Sequence, residues 1–185
     1  MRVCLFLCAM VGLGSCQADV CLRTADMPAG LKLEHYRSPT PACVPKGLTL
    51  TTTELQQLIA KDKPILVDVM AVLLREDAGF PATWLVNELH NSLPNSVWLP
   101  NVGYAELQPE FESWFKAQLE QLTQKNLNQP LVFYCVADCW LSWNTVQRVH
   151  DYGYTQVYWY KEGIDGWKEA GLPLVNSEPR PFTQE

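Results

Sequence analysis

The sequence has no basic run. Its 185 residues carry 14 Lys and Arg against 20 Asp and Glu, a formal net charge of −6, and the cations are scattered along the chain. Nucleic acids and anionic membrane surfaces are recognised by clustered Lys and Arg, so both are excluded as partners. No apolar stretch is long enough to cross a bilayer, so no transmembrane segment is expected. Internal repeats and low-complexity tracts are absent. Histidine is scarce, with three in the chain. His35 and His90 fall on segments that read as surface. His150 lies about nine helical residues beyond the cysteine loop, about 13 Å at the rise of an α-helix. No metal site and no bound cofactor are expected.

What is present is enough apolar material for one core: 48% of the residues are hydrophobic, and one domain is the default at this length. The chain opens "MRVCLFLCAMVGLGSCQADV". Arg2 and the short apolar run from Val3 to Leu13 have the form of a signal peptide over residues 1–18. Two exits compete. Cleavage after Ala18 releases a soluble chain; alternatively "LGSC" reads as a lipobox, with Cys16 becoming an acylated N-terminus. Either exit makes the protein periplasmic. Removal of the leader leaves Cys21, Cys43, Cys135 and Cys139, and proximity along the chain favours pairing 21 with 43 and 135 with 139. Residues 19–47, with "YRSPTPACVPKG", read as an irregular, Pro-rich arm lying extended over the domain. A Cys21–Cys43 disulfide would fasten it.

From Thr49 the pattern becomes regular. "TTTELQQLIAKD" is a helix with a capping-box start. "PILVDVM" is a buried strand closed by Asp68. "ATWLVNELH" reads as a short helix and "SVWLP" as a strand. "QPEFESWFKAQLEQLTQ" is an amphipathic helix with Phe111, Trp114, Phe115, Leu119 and Leu122 on one stripe. "PLVFYC" is a strand, Leu141 to Tyr152 a helix, "QVYWY" a strand, "GIDGW" a tight turn and "GWKEAG" a helical turn. Apolar strands alternating with helices describe an α/β fold, with a mostly parallel sheet covered on both faces. Ligands in such sheets bind beyond the carboxyl ends of the strands, where Cys135 and Asp68 stand.

These residues resemble the rhodanese-like family. The matching pieces are "LVDV" (66–69), "LPNSVWLP" (93–100), the strand ending in Cys135, "YGYTQVYWYKEGIDGW" (152–167) and "AGLPL" (170–174), in order, within a domain spanning 48–175 and followed by a tail, 176–185. The resemblance implies a three-layer domain and a nucleophilic cysteine at Cys135, first in its strand-to-helix loop. There it would take a sulfane sulfur and pass it on, as a sulfurtransferase does. A narrower resemblance is to exported rhodanese-like proteins of pyrroloquinoline-quinone (PQQ)-dependent catabolism, marked by a C-x-x-C-W motif. It rests on the leader, "YRSPTP", "SVWLP", the Cys-Trp pair and "VYWYKEGIDGW". It implies a link to periplasmic alcohol oxidation and a PQQ-dependent dehydrogenase system as partner. Here the motif is "CVADCW", with three residues between the thiols.

The loop itself, Val136, Ala137, Asp138 and then Trp140 beyond the second thiol, has no Arg, Lys or Gly. Asp138 adds negative charge where family members hold anionic thiosulfate, so thiosulfate is expected to be a poor substrate. Loop N–H groups and the following helix dipole are expected to favour the thiolate of Cys135. The Cα atoms of Cys135 and Cys139 fall roughly 5.5 to 6.5 Å apart if one turn separates them, within disulfide reach. The pair then acts as catalytic thiols, Cys135 attacking and Cys139 resolving, with a small thiol or sulfur donor and acceptor as partners. The alternatives are a static disulfide, or a non-catalytic module presenting the tryptophan-rich loop to a dehydrogenase, a cofactor or a soft metal. In that module Trp140 is the exposed contact, whereas Trp98, Trp143 and Trp159 read as core. Asp68 is a supporting residue, bonding the loop or a neighbouring backbone.

Overall fold

The computed structural model describes residues 21, 22, 24, 27–76 and 82–182; the expected leader, 1–18, lies outside them. Five strands form a single parallel sheet in the order β1 (Leu48–Leu50), β8 (Val157–Tyr160), β7 (Leu131–Tyr134), β2 (Ile65–Asp68), β6 (Val97–Trp98). Side chains alternate across a strand, so each central strand feeds two cores. Leu131 and Phe133 of β7 pack with Val67, Val157 and Trp159. Against them lie α2 (Pro109–Thr123), through Phe111, Trp114, Phe115 and Leu119, and α3 (Trp140–Asp151), through Trp143, Val146 and Val149. Val132 and Tyr134 point the other way, to Leu55 of α1 (Thr52–Asp62) and to Ile164 and Trp167 of α4 (Gly163–Glu169). The result is three layers, α2 and α3 on one face and α1 and α4 on the other, as the apolar runs predict.

Local chemistry sets the element ends. Thr51 caps α1 and closes a capping box with Glu54, satisfying two orphan amide groups. Pro at its N-terminus starts α2, where the missing N–H costs nothing. Two expectations are overturned. "ATWLVNELH" is not a helix: Thr83–Leu85 is strand β4, antiparallel to β3 (Leu73–Arg75), and Asn91–Ser92 is strand β5, paired with β9 (Val175–Asn176). Tertiary anchoring decides this, because the Trp84 indole donates to Arg180 O at 2.8 Å and packs on Phe182. "GIDGW" is not a separate turn either; Gly163, at φ +58°, opens α4 directly.

Both ends of the described chain are packed down. Phe182, 5% exposed, sits among Trp84, Phe111 and Trp114 and anchors the described part of the tail. The arm is clamped at several points. Lys32 and Asn144 exchange two hydrogen bonds (2.8 and 2.9 Å), the Trp143 indole donates to Cys43 O at 3.1 Å, and Val44 is fully buried. Cys21 and Cys43 form the expected disulfide, 22 residues apart in sequence.

Candidate active site: a buried thiol pair under the arm

Cys135 follows the last residue of β7, and Cys139 is the N-cap of α3. The loop between them places Asp138 at φ +52°, a left-handed conformation that Asp tolerates better than most side chains. Both cysteines are free, each 2% exposed, and each acts on the ionisation of the other. The Cys135 carbonyl accepts from Ile164 N–H at 2.9 Å. A Cβ on Gly163 would stand 2.2 Å from that carbonyl oxygen. A glycine is therefore needed where α4 touches the loop.

The environments of the two sulfurs differ. Burial pushes the Cys135 thiol well above its ordinary range; its hydrogen bond to Cys139, the charge on Cys139 and the Asp68 carboxylate push the same way. Cys139 is lowered to about 7, first by the Cys135 hydrogen bond, then by the Leu141 N–H in the first turn of α3 and by the Arg37 guanidinium, against the cost of its burial. The expectation placed the thiolate at Cys135; burial weighs against it there, and the groups that favour a thiolate gather at Cys139. The N-terminus of α3 and the Arg37 guanidinium both lie at Cys139, whereas burial dominates at Cys135.

The arm covers this pair. Arg37 and Cys139 form an antiparallel bridge, and Trp140 N–H donates to Tyr36 O at 2.9 Å. The Arg37 guanidinium donates to Ala137 O at 3.0 Å, and Thr40 N–H donates to the Asp138 carboxylate at 3.1 Å. Trp140 is not an exposed contact: it is 4% exposed, its indole donates to Ser38 Oγ at 3.0 Å, and Lys32 stands 4.8 Å over its ring. Burial removes the aromatic rim on which a presenting module would depend. Trp98, Trp143 and Trp159 are buried in the core as expected. On the other side of the loop, Ala137 N–H donates to the Asp165 carboxylate at 2.9 Å. That amide is already engaged by an acid.

Asp68 is fully buried at the end of β2. One oxygen accepts from Met70 N–H at 2.9 Å; the other accepts from Ser92 Oγ and, at 2.7 Å, from His90 Nε2. Tyr134 OH bonds Ser92 Oγ at 2.8 Å. Asp68 thus braces neighbouring backbone and side chains. His90 is not a surface histidine: its side chain is 11% exposed and lies on Trp98, ring centroids 4.0 Å apart. Sequence reasoning missed His90, Arg37 and Asp165. All three meet the site from far along the chain, and only the "YRSPTP" stretch singled out Arg37's neighbourhood. Among the described residues no three His, Cys, Asp or Glu side chains gather as a metal site.

The three-layer fold around a parallel sheet is what comparison with known proteins matches. Residues 51–170 match the rhodanese-like domain. The chain belongs to the rhodanese-like family. The fold is similar to that of a thiosulfate sulfurtransferase from Pseudomonas aeruginosa, with 17% identity, 74% of this chain and 22% of that chain covered, and a TM-score of 0.50. This rhodanese-like chain thus spans about a fifth of that protein's length. Two further similar structures are a polysulfide-sulfur transferase homodimer from Wolinella succinogenes (16% identity, 70% and 79% covered, TM-score 0.41) and a human single-domain sulfurtransferase (22% identity, 65% and 95% covered, TM-score 0.39). No curated protein matches the chain.

Proposed function

We propose that this rhodanese-like protein performs sulfur-transfer or thiol redox chemistry at the Cys135–Cys139 pair, with Cys139 as the attacking thiolate. One observation carries the reading: two free, buried thiols stand together at the end of β7 and the N-cap of α3, while a second cysteine pair in the same chain is bridged. With a hydropersulfide donor, the Cys139 thiolate attacks the outer sulfur, forming a protein persulfide and expelling the donor as thiolate. An acceptor thiolate then takes that sulfur and restores Cys139. With a disulfide, Cys139 forms the mixed disulfide and the first leaving thiolate takes the Cys135 proton. Cys135 then attacks Cys139 Sγ, closes the internal disulfide and expels the second thiolate. The substrate disulfide is reduced to a thiol and a thiolate, and the protein pair is oxidised.

The test is sulfur transfer and disulfide reduction by the purified protein, from pH 5 to 9, with each cysteine replaced. Cys139→Ser is expected to lower both rates by at least about a hundredfold. Cys135→Ser is expected to keep the first step and trap the mixed disulfide. Because the thiolate is the reactive form and Cys139 is lowered to about 7, the rate rises with pH through neutrality and levels off above it. A Cys139→Ser variant as active as the parent would refute the reading.

Export belongs to the same proposal. The leader-like opening and the Cys21–Cys43 bridge, which is at home in an oxidising compartment, support a periplasmic protein, soluble or acylated at Cys16. A place beside a PQQ-dependent alcohol-oxidising system is supported by the narrower resemblance of "YRSPTP", "SVWLP", the Cys-Trp pair and "VYWYKEGIDGW". In that setting the donor or acceptor thiol would belong to the partner system.

A further inference from the structure

The loop carries no cation, yet one reaches it from 102 residues away in the sequence. The backbone of Arg37 bridges Cys139, so the side chain leaves the arm at the level of the thiols, and its guanidinium donates to Ala137 O at 3.0 Å. That contact fixes a positive charge beside the N-cap of α3. The anchors on either side of Arg37 are firm: Trp140 N–H to Tyr36 O, Trp140 Nε1–H to Ser38 Oγ, and the Cys21–Cys43 bridge, which closes the arm around it. Among the described residues a second cation, Lys32, stands over the Trp140 ring at 4.8 Å, and the remaining groups named around the pair are neutral or acidic. Cys135 comes from the end of β7, with Asp68 of β2 acting on it. Tyr104 lies near both sulfurs, its ring on Tyr36. The Asp138 carboxylate is turned to Thr40.

We propose that Arg37 is a positioning residue for the thiol chemistry: the arm delivers to Cys139 the positive charge that the loop itself does not carry. The inference deepens the reading of the pair as the reacting centre and rests on it. It also gives the disulfide-closed arm a chemical role besides coverage. Because Arg37 is exposed, its effect is screened and moderate.

The experiment is the rate of Cys139 alkylation by iodoacetamide against pH, resolved from the other cysteines by peptide mass spectrometry, in the full-length protein and in Arg37→Gln and Arg37→Lys. Arg37→Gln is expected to raise the midpoint of the profile by about half a unit to one unit. Arg37→Lys is expected to recover at least half of that shift. Molar salt is expected to narrow the gap between parent and Arg37→Gln. A purely structural role predicts a different result: a looser arm raises the high-pH plateau and leaves the midpoint where it was. That outcome, or a lysine variant that behaves as the glutamine one, would overturn the proposal. No turnover is needed for the readout, so failure of the sulfur-transfer assay and failure of this inference are seen separately.

Discussion

At the scale of single residues, the site depends on which buried groups find partners. Asp68 is a carboxylate with no exposure, and such a group persists only when its lone pairs are filled. Three donors fill them, from Met70, Ser92 and His90, and Tyr134 closes the chain through Ser92. Asp68→Ala would leave these donors facing a void. It is expected to lower unfolding free energy by about 3 kcal/mol, read from urea melts. An unchanged midpoint would show that water replaces the carboxylate without cost. The cysteines follow the same logic with opposite results. Burial works against the charged form of Cys135; Cys139, at a helix N-terminus with a guanidinium beside it, is drawn toward its thiolate.

At the scale of elements, what was legible in the chain was whatever repeats at short range. The stripe of α2 and the apolar runs of β2 and β7 announce themselves because pattern and burial agree along them. Thr83–Leu85 does not, because its strand state is set by Leu73–Arg75 and by Trp84 reaching the far end of the chain. The cysteine loop was legible as a site; its cation, the acid on its amide and the His90 brace were not, since each arrives by tertiary contact. The arm illustrates both sides. Its prolines mark it as irregular, yet only the structure shows it lying on the thiols. Closing 22 residues with the Cys21–Cys43 bridge is worth about 3 kcal/mol in the loop-entropy account. Replacing both cysteines by serine is therefore expected to lower the melting temperature. The same change should speed Cys139 alkylation at pH 9, where the thiolate is already formed and access limits the rate. An unaltered alkylation rate would mean that the hydrogen bonds to Trp140 and Asp138 hold the arm alone.

At the scale of the whole molecule, charge governs which donor reaches the pair. The chain carries a net −6. Beside the loop, a cavity of about 270 Å³ is lined by Asp138, Glu162, Asp165 and Glu169, with Lys161 the one cation among its lining residues. In this setting Ala137 N–H, an amide that could hold an anion, already donates to Asp165, and Arg37 spends one of its donors on Ala137 O. A thiosulfate dianion held at this amide would have to displace the Asp165 carboxylate in the field of these acids. The loss of one charge-assisted contact corresponds to about tenfold to a hundredfold in binding. The expected result is that kcat/KM for thiosulfate falls at least about tenfold below that for an electrically neutral sulfane-sulfur donor. Two further readings separate charge from mere fit. Raising the salt concentration should help thiosulfate and not the neutral donor, because only the former is repelled over a distance that ions screen. Asp165→Asn, which keeps an acceptor for the amide and removes the charge, should raise thiosulfate turnover by about threefold or more while moving the neutral donor less. Equal effects on both donors would place the barrier in the closed arm, which shuts out every substrate alike, and not in the acids around the loop.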